Sequence, residues 1–354
     1  MSEPTVSASS LRVRRLDAGD ASGNARWEAF VAAHPAATFF HRAAWQDILH
    51  EVFGHQTHYL YAERDGAIVG ILPLAQVKSR LFGNALVSLP FCVYGGIIAE
   101  DAETVEALEA EAEALARRLD VDHLEYRNLI PRHADWPRQE LYVTFRKEIL
   151  PEEEANLQAI PRKQRAMVRK GIKHGLRAEI DADSRRFFAL YADNVRRHGT
   201  PALPKHYFDR LLETFGPDCE ILTVVDAAGT PVSSVLSFYF RDEVLPYYAG
   251  DDVRARELAA NDFKYWELMR RACARGLKVF DYGRSKVGAG SYAFKKNWGF
   301  EPKPLSYEYR LYKRDSIPQN NPNNPKYRLM IATWRRLPLW LTTRLGPLIV
   351  RNLG

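Results

Sequence analysis

The feature that most constrains the fold of this 354-residue chain is an internal repeat. In the first half, two β-rich runs within 58–77 flank an Asp65-Gly66 turn, and 220–240 repeats this pattern around an Ala-Gly turn. A further β-like segment follows each hairpin, at 86–98 and again at 243–250. Because the features recur in the same order, duplication explains them better than coincidence does.

The repeat continues with a helical pattern at 101–119 and at 259–275, each leading into a short strand that ends in an arginine. Each half then finishes on an alternating strand, at 141–149 and at 305–312. This order predicts an α/β protein with two tandem mixed-sheet domains. The predicted divisions are a first domain at 1–150, a second domain at 151–315, and an Asn/Pro-rich linker with a basic amphipathic tail at 316–354.

The net charge of +6 comes entirely from the C-terminal tail. From Ser316 onward there are six basic residues and no acidic one, which leaves 44 basic against 44 acidic residues in the rest of the chain. The three cysteines have neither disulfide nor zinc spacing, which favours a reducing compartment. With no apolar leader and no membrane-spanning run, we expect a cytoplasmic protein without a metal.

The two copies differ most between the arginine that ends the short strand and the last strand. The first copy has 13 residues there (128–140), whereas the second has 20 (285–304), rich in glycine, lysine and aromatic residues. Such residues let a backbone approach a ligand, stabilise negative charge and build apolar walls, so the loop predicts a pocket. The candidate donor-binding residues here are Arg284, Tyr292 and Phe294. The alternative is an ordinary surface loop whose aromatic side chains seal the sheet.

A second candidate donor contact lies just before the helix at 259–275. Arg254 is upstream, and Asn261 or Asp262 is the predicted N-cap. A helix N-terminus beside an arginine can hold a phosphate of coenzyme A or of the 3′ end of a transfer RNA. No glycine-rich phosphate motif accompanies these residues.

The segment 161–177 contains seven Lys and Arg residues and no acidic residue. Interleaved apolar residues predict an amphipathic helix with a cationic face, which would suit an RNA backbone or a polyphosphate lipid. The residues predicted to bind RNA or phosphate are Arg162, Lys163, Arg165, Arg169 and Lys170. The alternative is a solvated linker helix between the copies.

The tail at 326–354 places apolar residues at helical spacing between arginines, interrupted by Pro338 and Pro347. A basic amphipathic segment of this kind favours contact with the inner surface of an anionic cytoplasmic membrane. The alternative is that the tail docks on the body of the same protein or on a partner protein.

Three segments resemble the FemAB-like transferases, whose chains contain tandem GNAT-like domains. They are LQAIPRKQRAMVRKGIKHGLRAEI (157–180), YYAGDDVRARELAANDFKYWE (247–267) and DYGRSKVGAGSYAFKKNWGF (281–300). The pattern is similar to the FemAB-like proteins associated with PEP-CTERM/exosortase systems. The resemblance implies transfer of an aminoacyl or acyl group to an amine of a cell-envelope precursor, with aminoacyl-tRNA or acyl-CoA as the donor substrate and no permanently bound cofactor.

By the same resemblance, Lys295 matches the family's functional lysine and would stabilise negative charge on the donor's carbonyl oxygen. In the family, a second, phosphate-binding lysine follows a tryptophan near the start of the first copy. The matching stretch here contains Trp45 but no lysine after it, and His50 is present instead. No Ser/His/Asp or Cys/His arrangement is evident, so direct attack is expected without a covalent intermediate. Asp281 is the one general-base candidate, and a structural salt bridge to Arg284 explains it equally well.

These features predict an acyltransferase, with two other hypotheses left open. The first alternative is an acyl-CoA N-acyltransferase of a small metabolite, which would bind coenzyme A and ignore transfer RNA. The second is a non-catalytic module that binds nucleic acid or a membrane through 161–177 and the tail, and it would show no turnover.

Overall fold

The computed structural model describes residues 10–79, 82–318 and 325–353. Within them the chain forms two compact units. Unit 1 combines the chain up to Gln139 with Ser306–Pro318, and unit 2 combines Glu140–Leu305 with the tail up to Leu353. The core of the Asn/Pro-rich stretch predicted as a linker, 319–324, lies outside the described residues.

Unit 1 is a mixed sheet with helices. Its elements in chain order are β1 (Arg12–Leu16), α1 (Ala21–Ala33), α2 (Trp45–Phe53), β2 (Gln56–Arg64), β3 (Ala67–Ser79), β4 (Gly83–Ser88), β5 (Ile98–Ala99), α3 (Ala102–Arg118), β6 (His123–Asn128) and β7 (Arg138–Gln139). The strand order is β1-β2-β3-β4-β6, then a strand from near the end of the chain, then β7, with β5 beside β3. The predicted β-like segment at 86–98 is mostly a loop, because β4 ends at Ser88.

The hairpin predicted around Asp65-Gly66 forms between β2 and β3, and both turn residues have positive φ. Helix α3 begins at the N-cap Asp101, whose carboxylate accepts the backbone N–H of Thr104 at 2.8 Å. Its buried face, which includes Leu108 and Ala112, packs into the apolar core of unit 1. The predicted helix at 101–119 is therefore present with nearly the same bounds.

Unit 2 repeats this arrangement with additional helices. Its elements in chain order are β8 (Tyr142–Glu148), α4 (Glu153–Ala159), α5 (Arg162–Lys173), β9 (Arg177–Asp181), α6 (Arg185–His198), α7 (Lys205–Phe215), β10 (Cys219–Val225), β11 (Pro231–Phe240), β12 (Glu243–Asp251), α8 (Ala255–Leu258), α9 (Ala260–Ala274), β13 (Val279–Lys286), α10 (Gly290–Asn297) and β14 (Pro302–Pro304). The strand order is β14-β8-β13-β12-β11-β10-β9. The predicted hairpin at 220–240 is the β10–β11 pair.

The two finishing strands are exchanged relative to the predicted domains. Strand β8, predicted to close the first domain, pairs antiparallel with β13 in the sheet of unit 2. Strand β15 (Ser306–Leu311), predicted to close the second domain, pairs antiparallel with β6 in unit 1. The division of the compact units thus falls at Gln139–Glu140 and again at Leu305–Ser306, rather than near Leu150-Pro151. Buried Phe145 and Tyr307 anchor the two strands in these sheets.

The tail forms two helices, α11 (Pro325–Arg336) and α12 (Leu339–Val350). Pro338 precedes the first residue of α12, where its missing N–H costs nothing, whereas Pro347 lies inside that helix. Both helices contact α6 within unit 2. Among the residues that the structure describes, no helix has the length and apolar character needed to cross a membrane.

Candidate active site

The parallel strands β12 and β13 of unit 2 pair over only two residue pairs, Glu243 with Val279 and Val244 with Phe280. Beyond these pairs β12 continues to Asp251 and remains paired with β11 on its other side. Strand β13 likewise continues beyond Phe280 and pairs with β8 on its other side. The two strands therefore stop pairing with each other although both continue. They separate toward their carboxyl ends, where ligands bind in sheets with parallel strands.

Both diverging strands carry a β-bulge. In β12 the ladder with β11 shifts register at Tyr247, because Leu236 pairs with Tyr248 and Ser237 pairs with Pro246. A bulge bends its strand and increases the local twist, so it redirects the strand away from its former partner. The bulges thus lie where the two parallel strands separate.

In β13 the bulge consists of Tyr282 and Gly283, which together oppose the single residue Phe145 of β8. Gly283 has a φ of 61°, a left-handed conformation that glycine adopts without the steric cost of a side chain. This glycine is the extra residue that distinguishes Tyr-Gly-Arg in the second copy from Tyr-Arg in the first. The sequence difference between the copies therefore corresponds to a difference in strand geometry.

The ammonium group of Lys295 binds the backbone of this bulge. Lys295 lies on α10, is 8% exposed, and its Nζ donates to the carbonyl oxygens of Tyr282 at 2.7 Å, Gly283 at 3.2 Å and Arg284 at 3.3 Å. Because an ammonium has three N–H donors, these three carbonyls match its donor capacity. The Nζ also lies 5.6 Å from the centroids of the Phe145 and Tyr282 rings, which adds a cation–π contribution.

Burial lowers the pKa of Lys295 to about 7, because the charged form loses its hydration. The nearby Asp281 carboxylate raises this pKa and the Arg284 guanidinium lowers it. Groups whose pKa is shifted this far concentrate at functional sites, so Lys295, whose ammonium contacts the separated part of β13, is a candidate functional group.

Asp281 lies fully buried on β13 and forms an ion pair with Arg146 of β8 at 2.8 Å. It also accepts the backbone N–H of Gly283 at 2.7 Å, and Arg146 bonds to Glu243 as well. The alternative of a structural salt bridge is thus realised with Arg146, a residue that the sequence analysis did not select. Burial raises the pKa of Glu243, and Arg146 opposes that rise.

The aromatic residues predicted in this loop, Tyr292 and Phe294, lie on α10 and pack it against neighbouring rings. Phe294 lies 5.5 Å from the ring of Tyr265 and 5.9 Å from Trp298, while Tyr292 contacts the edge of Phe145 at 5.5 Å. The stretch 285–304 is therefore not an irregular loop, because it contains the end of β13, helix α10 and β14. Arg284 lies on β13 with its guanidinium over the Tyr142 ring at 4.7 Å.

Arg254 and Asn261 lie near the start of α9, but not as predicted. Helix α9 begins at Ala260 after Ala259, whose φ is 56°, so Asn261 and Asp262 fall in the first turn rather than at the N-cap. Asp262 instead accepts the indole N–H of Trp298 at 2.9 Å. Arg254 is exposed and forms ion pairs with Asp252 and Asp226, so its charge is already balanced by two carboxylates.

The predicted cationic helix is α5, and it belongs to the body of unit 2 rather than linking two domains. It packs on α9, where Gly171 lies so close to Phe263 that an added Cβ would be 2.8 Å from the Cβ of Phe263. On its outer side Arg162, Lys163, Arg169 and Lys170 are exposed, whereas Arg165 is partly buried and donates to Gln158. The helix therefore presents a cationic surface on its outer side.

Several residues that shape this region were not predicted from the sequence. Gly283 was visible as the extra residue between tyrosine and arginine, but Arg146 and Glu243 carry no local signal, because their contact with Asp281 joins distant segments. Another missed group is Lys264, which is fully buried and pairs with Asp251 at 2.9 Å. Among the described residues, no group of three or more His, Cys, Asp or Glu side chains could hold a metal ion.

Residues 162–296 match the family model described as an acetyltransferase (GNAT) domain. No curated protein matches this sequence. The fold is similar to that of FemX, with a TM-score of 0.68 at 15% identity over 90% of this chain and 100% of that one. It is also similar to L-PGS from Bacillus licheniformis, with a TM-score of 0.56 at 13% identity over 91% and 96% of the two chains.

A third similar structure is the tandem GNAT protein from the clavulanic acid biosynthesis pathway, with a TM-score of 0.53 at 14% identity over 87% of this chain and 100% of that one. The predicted α/β fold with tandem GNAT-like domains is thus confirmed, and so is the resemblance to the FemAB-like fold. The match to an acetyltransferase domain supports an acyltransferase.

Proposed function

We propose that this chain transfers an acyl or aminoacyl group from an activated donor, held between β12 and β13 of unit 2, to an amine of a cell-envelope precursor. The observation that carries the proposal is the short ladder between these strands, which pair only through Glu243–Val244 and Val279–Phe280. Backbone N–H and C=O groups along a separated strand edge need partners. The amide-containing arm of an acyl-CoA, or the aminoacyl ester of a transfer RNA, would supply them.

Lys295 provides the positive charge for this reaction. As the amine attacks the donor carbonyl, negative charge develops on the carbonyl oxygen, and a fixed cation in a water-poor site stabilises it. The Arg284 carbonyl, at 3.3 Å, is the longest of the three contacts of the ammonium and is the one that the developing oxyanion would replace. The charge is thus preorganised by the bulge before the donor arrives.

Asp281 has a positioning role in this proposal rather than that of the general base. Its carboxylate already accepts from Arg146 and from the backbone of Gly283, so proton transfer would break contacts that hold the bulge. The amine of the acceptor then attacks the donor carbonyl directly in a ternary complex and forms the new amide bond. The bond from the carbonyl carbon to the coenzyme A sulfur, or to the ribose oxygen of the transfer RNA, breaks, and the amine's proton passes to solvent or to that leaving group. Tyr292 and Phe294 support α10 and thereby hold Lys295 in place.

The donor is an aminoacyl-tRNA or an acyl-CoA, and different features favour each. The exposed cations of α5, including Lys170, form a surface that would suit an RNA backbone. The match to an acetyltransferase (GNAT) domain favours an acyl-CoA. The envelope acceptor and the link to PEP-CTERM/exosortase systems rest on the resemblance alone and are part of the same proposal.

The test is to incubate the purified full-length protein separately with charged transfer RNA and with a mixture of acyl-CoAs, and to identify bound or hydrolysed donor by mass spectrometry. With the active donor, Lys295→Met should lower kcat by roughly 100-fold or more, because one oxyanion donor contributes about that much. The neighbouring exposed Lys296 provides the matched control, and Lys296→Met should retain the native rate.

Full activity in Lys295→Met would remove this lysine from the mechanism. If neither donor is turned over, but nucleic acid binds in a salt-sensitive way that depends on the cations of α5, the chain is a binding module and the proposed enzyme activity is wrong.

A further inference from the structure

The tail helices α11 and α12 attach to unit 2 through one face. Trp334 is buried, and the guanidinium of Arg196 on α6 donates to the carbonyl of Arg335 at 3.0 Å. In α12 the attachment is close at Gly346, where an added Cβ would lie 2.8 Å from the carbonyl oxygen of Ala202. Thr342, one turn before Gly346, is also buried, so these two residues define the inner side of α12.

The opposite side of the same helices is exposed and combines large apolar with cationic side chains. Trp340, Arg344 and Leu348 follow one another at spacings of four residues and therefore share one side of α12, and the C-cap Arg351 follows three residues later. Trp340 is 62% exposed and Leu348 is 61% exposed, and Leu329 on α11 is 79% exposed. We call this surface the outer face of the tail, and its residues are Leu329, Arg336, Trp340, Arg344, Leu348 and Arg351.

The outer face differs from an ordinary protein surface in two respects. Exposed leucine and tryptophan side chains gather on two short helices that are already anchored by their inner side, so folding does not explain the apolar residues. In addition, the sequence from Ser316 to the end contains no acidic residue, so nothing in the tail neutralises its arginines. The guanidinium of Arg344 lies 5.9 Å from the centre of the Trp340 ring, so charge and aromatic surface are presented together.

We infer that the outer face of the tail docks on an anionic phospholipid bilayer. Tryptophan and leucine would enter the boundary between headgroups and acyl chains, while the arginines would contact the anionic headgroups. The charge complementarity favours a membrane over a second copy of the chain, because two outer faces would bring uncompensated arginines together. The two predictions for the tail are thus compatible, since the inner side docks on the body and the outer side remains available.

The test is cosedimentation of the full-length protein with vesicles of phosphatidylcholine alone or of phosphatidylcholine mixed with phosphatidylglycerol. Binding is expected to the anionic vesicles, to weaken at high salt, and to fall at least about tenfold in the double variant Trp340→Ser with Leu348→Ser. Because both side chains are mostly exposed, the melting temperature of this variant should stay close to that of the native protein.

Two matched controls separate the outer face from the rest of the surface. Ile130→Ser with Val253→Ser removes two apolar side chains elsewhere that are somewhat more exposed than Trp340 and Leu348, and it should leave vesicle binding unchanged. Arg344→Glu with Arg351→Glu should abolish binding, whereas Lys170→Glu with Lys173→Glu, the same change in net charge on α5, should retain most of it.

Undiminished vesicle binding by Trp340→Ser with Leu348→Ser would overturn the inference, as would binding that depends on the α5 charges instead. A concentration-dependent dimer that is lost in this variant, without vesicle binding by the native protein, would assign the outer face to a second copy and overturn it equally. Since no acyl donor is present in these measurements, their outcome is independent of the proposed transferase activity.

Discussion

The central parallel strand pair is continuous in unit 1 and divergent in unit 2. In unit 1, β4 and β6 pair from Ala85–His123 to Ser88–Tyr126, so the ladder reaches the last residue of β4. In unit 2, the ladder between β12 and β13 ends at Val244–Phe280 although both strands continue. Since the two units share a common order of elements, the comparison places the early end of the parallel ladder, and the strand edges that separate there, in unit 2.

A buried cation lies after the strand pair in each unit, but the two cations differ in chemistry. In unit 1 the Arg127 guanidinium donates to the carbonyls of Leu89 at 2.9 Å and Cys92 at 2.7 Å, and it forms an ion pair with Glu125. Burial lowers the pKa of Arg127, but charge interactions with Glu125 and Tyr307 outweigh burial and hold the pKa above its usual range, so its charge is permanent. In unit 2 the corresponding contacts to backbone carbonyls are made by Lys295, whose pKa is about 7.

The largest expected effect on stability is therefore in unit 1. Arg127→Met should lower the free energy of unfolding by roughly 3 to 5 kcal/mol, because Glu125 would remain buried without its ion-pair partner. Chemical denaturation measures this loss. The matched control is Arg117→Met, which breaks the exposed pair with Glu113 and should change stability by less than about 1 kcal/mol. Equal effects of the two substitutions would show that Arg127 is not the structural anchor of unit 1.

A smaller effect is expected at the bulge of unit 2. Gly283→Ala should destabilise the protein by roughly 1 to 2 kcal/mol, since a residue with a Cβ would have to keep the positive φ. Gly290→Ala serves as the control, because a Cβ there meets nothing within 4 Å. The unfolding free energies of the two variants, measured by chemical denaturation, test whether the bulge in β13 requires a glycine at position 283. If Gly283→Ala is no more costly than Gly290→Ala, the bulge does not depend on this glycine.

The smallest effect concerns the pH dependence contributed by Lys295. Its pKa is about 7 in the folded protein and near 10.5 when exposed, so between these values the unfolded chain binds more protons than the folded one. The free energy of unfolding contributed by this group therefore rises with pH, by about 1 kcal/mol from about pH 7 to about pH 8. The unfolding free energy of the native protein minus that of Lys295→Met should therefore rise with pH by the same amount. A difference that stays constant with pH would mean that Lys295 remains charged throughout.

Local elements of the fold could be predicted because their signals are local. The Asp65-Gly66 turn and the helical periodicity of 101–119 each determine a few neighbouring residues, and the structure has both. The alternation at 141–149 indicates a strand, but nothing in it states which sheet the strand will join. Its partner β13 begins at Val279, and such long-range pairing is decided by packing rather than by propensity.

The same distinction applies to the candidate site. Comparing the copies led to the region around Lys295, because the insertion of residues is visible in the sequence. What the lysine contacts was not predictable, since its three acceptors are backbone carbonyls, which every residue possesses. The ion pair between Arg146 and Asp281 also escaped prediction, because it depends on the exchanged strand β8.

The most direct test of the central claim is amide hydrogen exchange, followed by mass spectrometry, with and without the donor that the enzyme turns over. A donor held between β12 and β13 should slow exchange in 245–251 and 281–286, the diverging parts of these strands, and leave 85–88 and 123–126 of unit 1 unchanged. Protection confined to the strand pair of unit 1, or none in either pair while the donor is bound at saturation, would contradict the assignment of the donor site to unit 2.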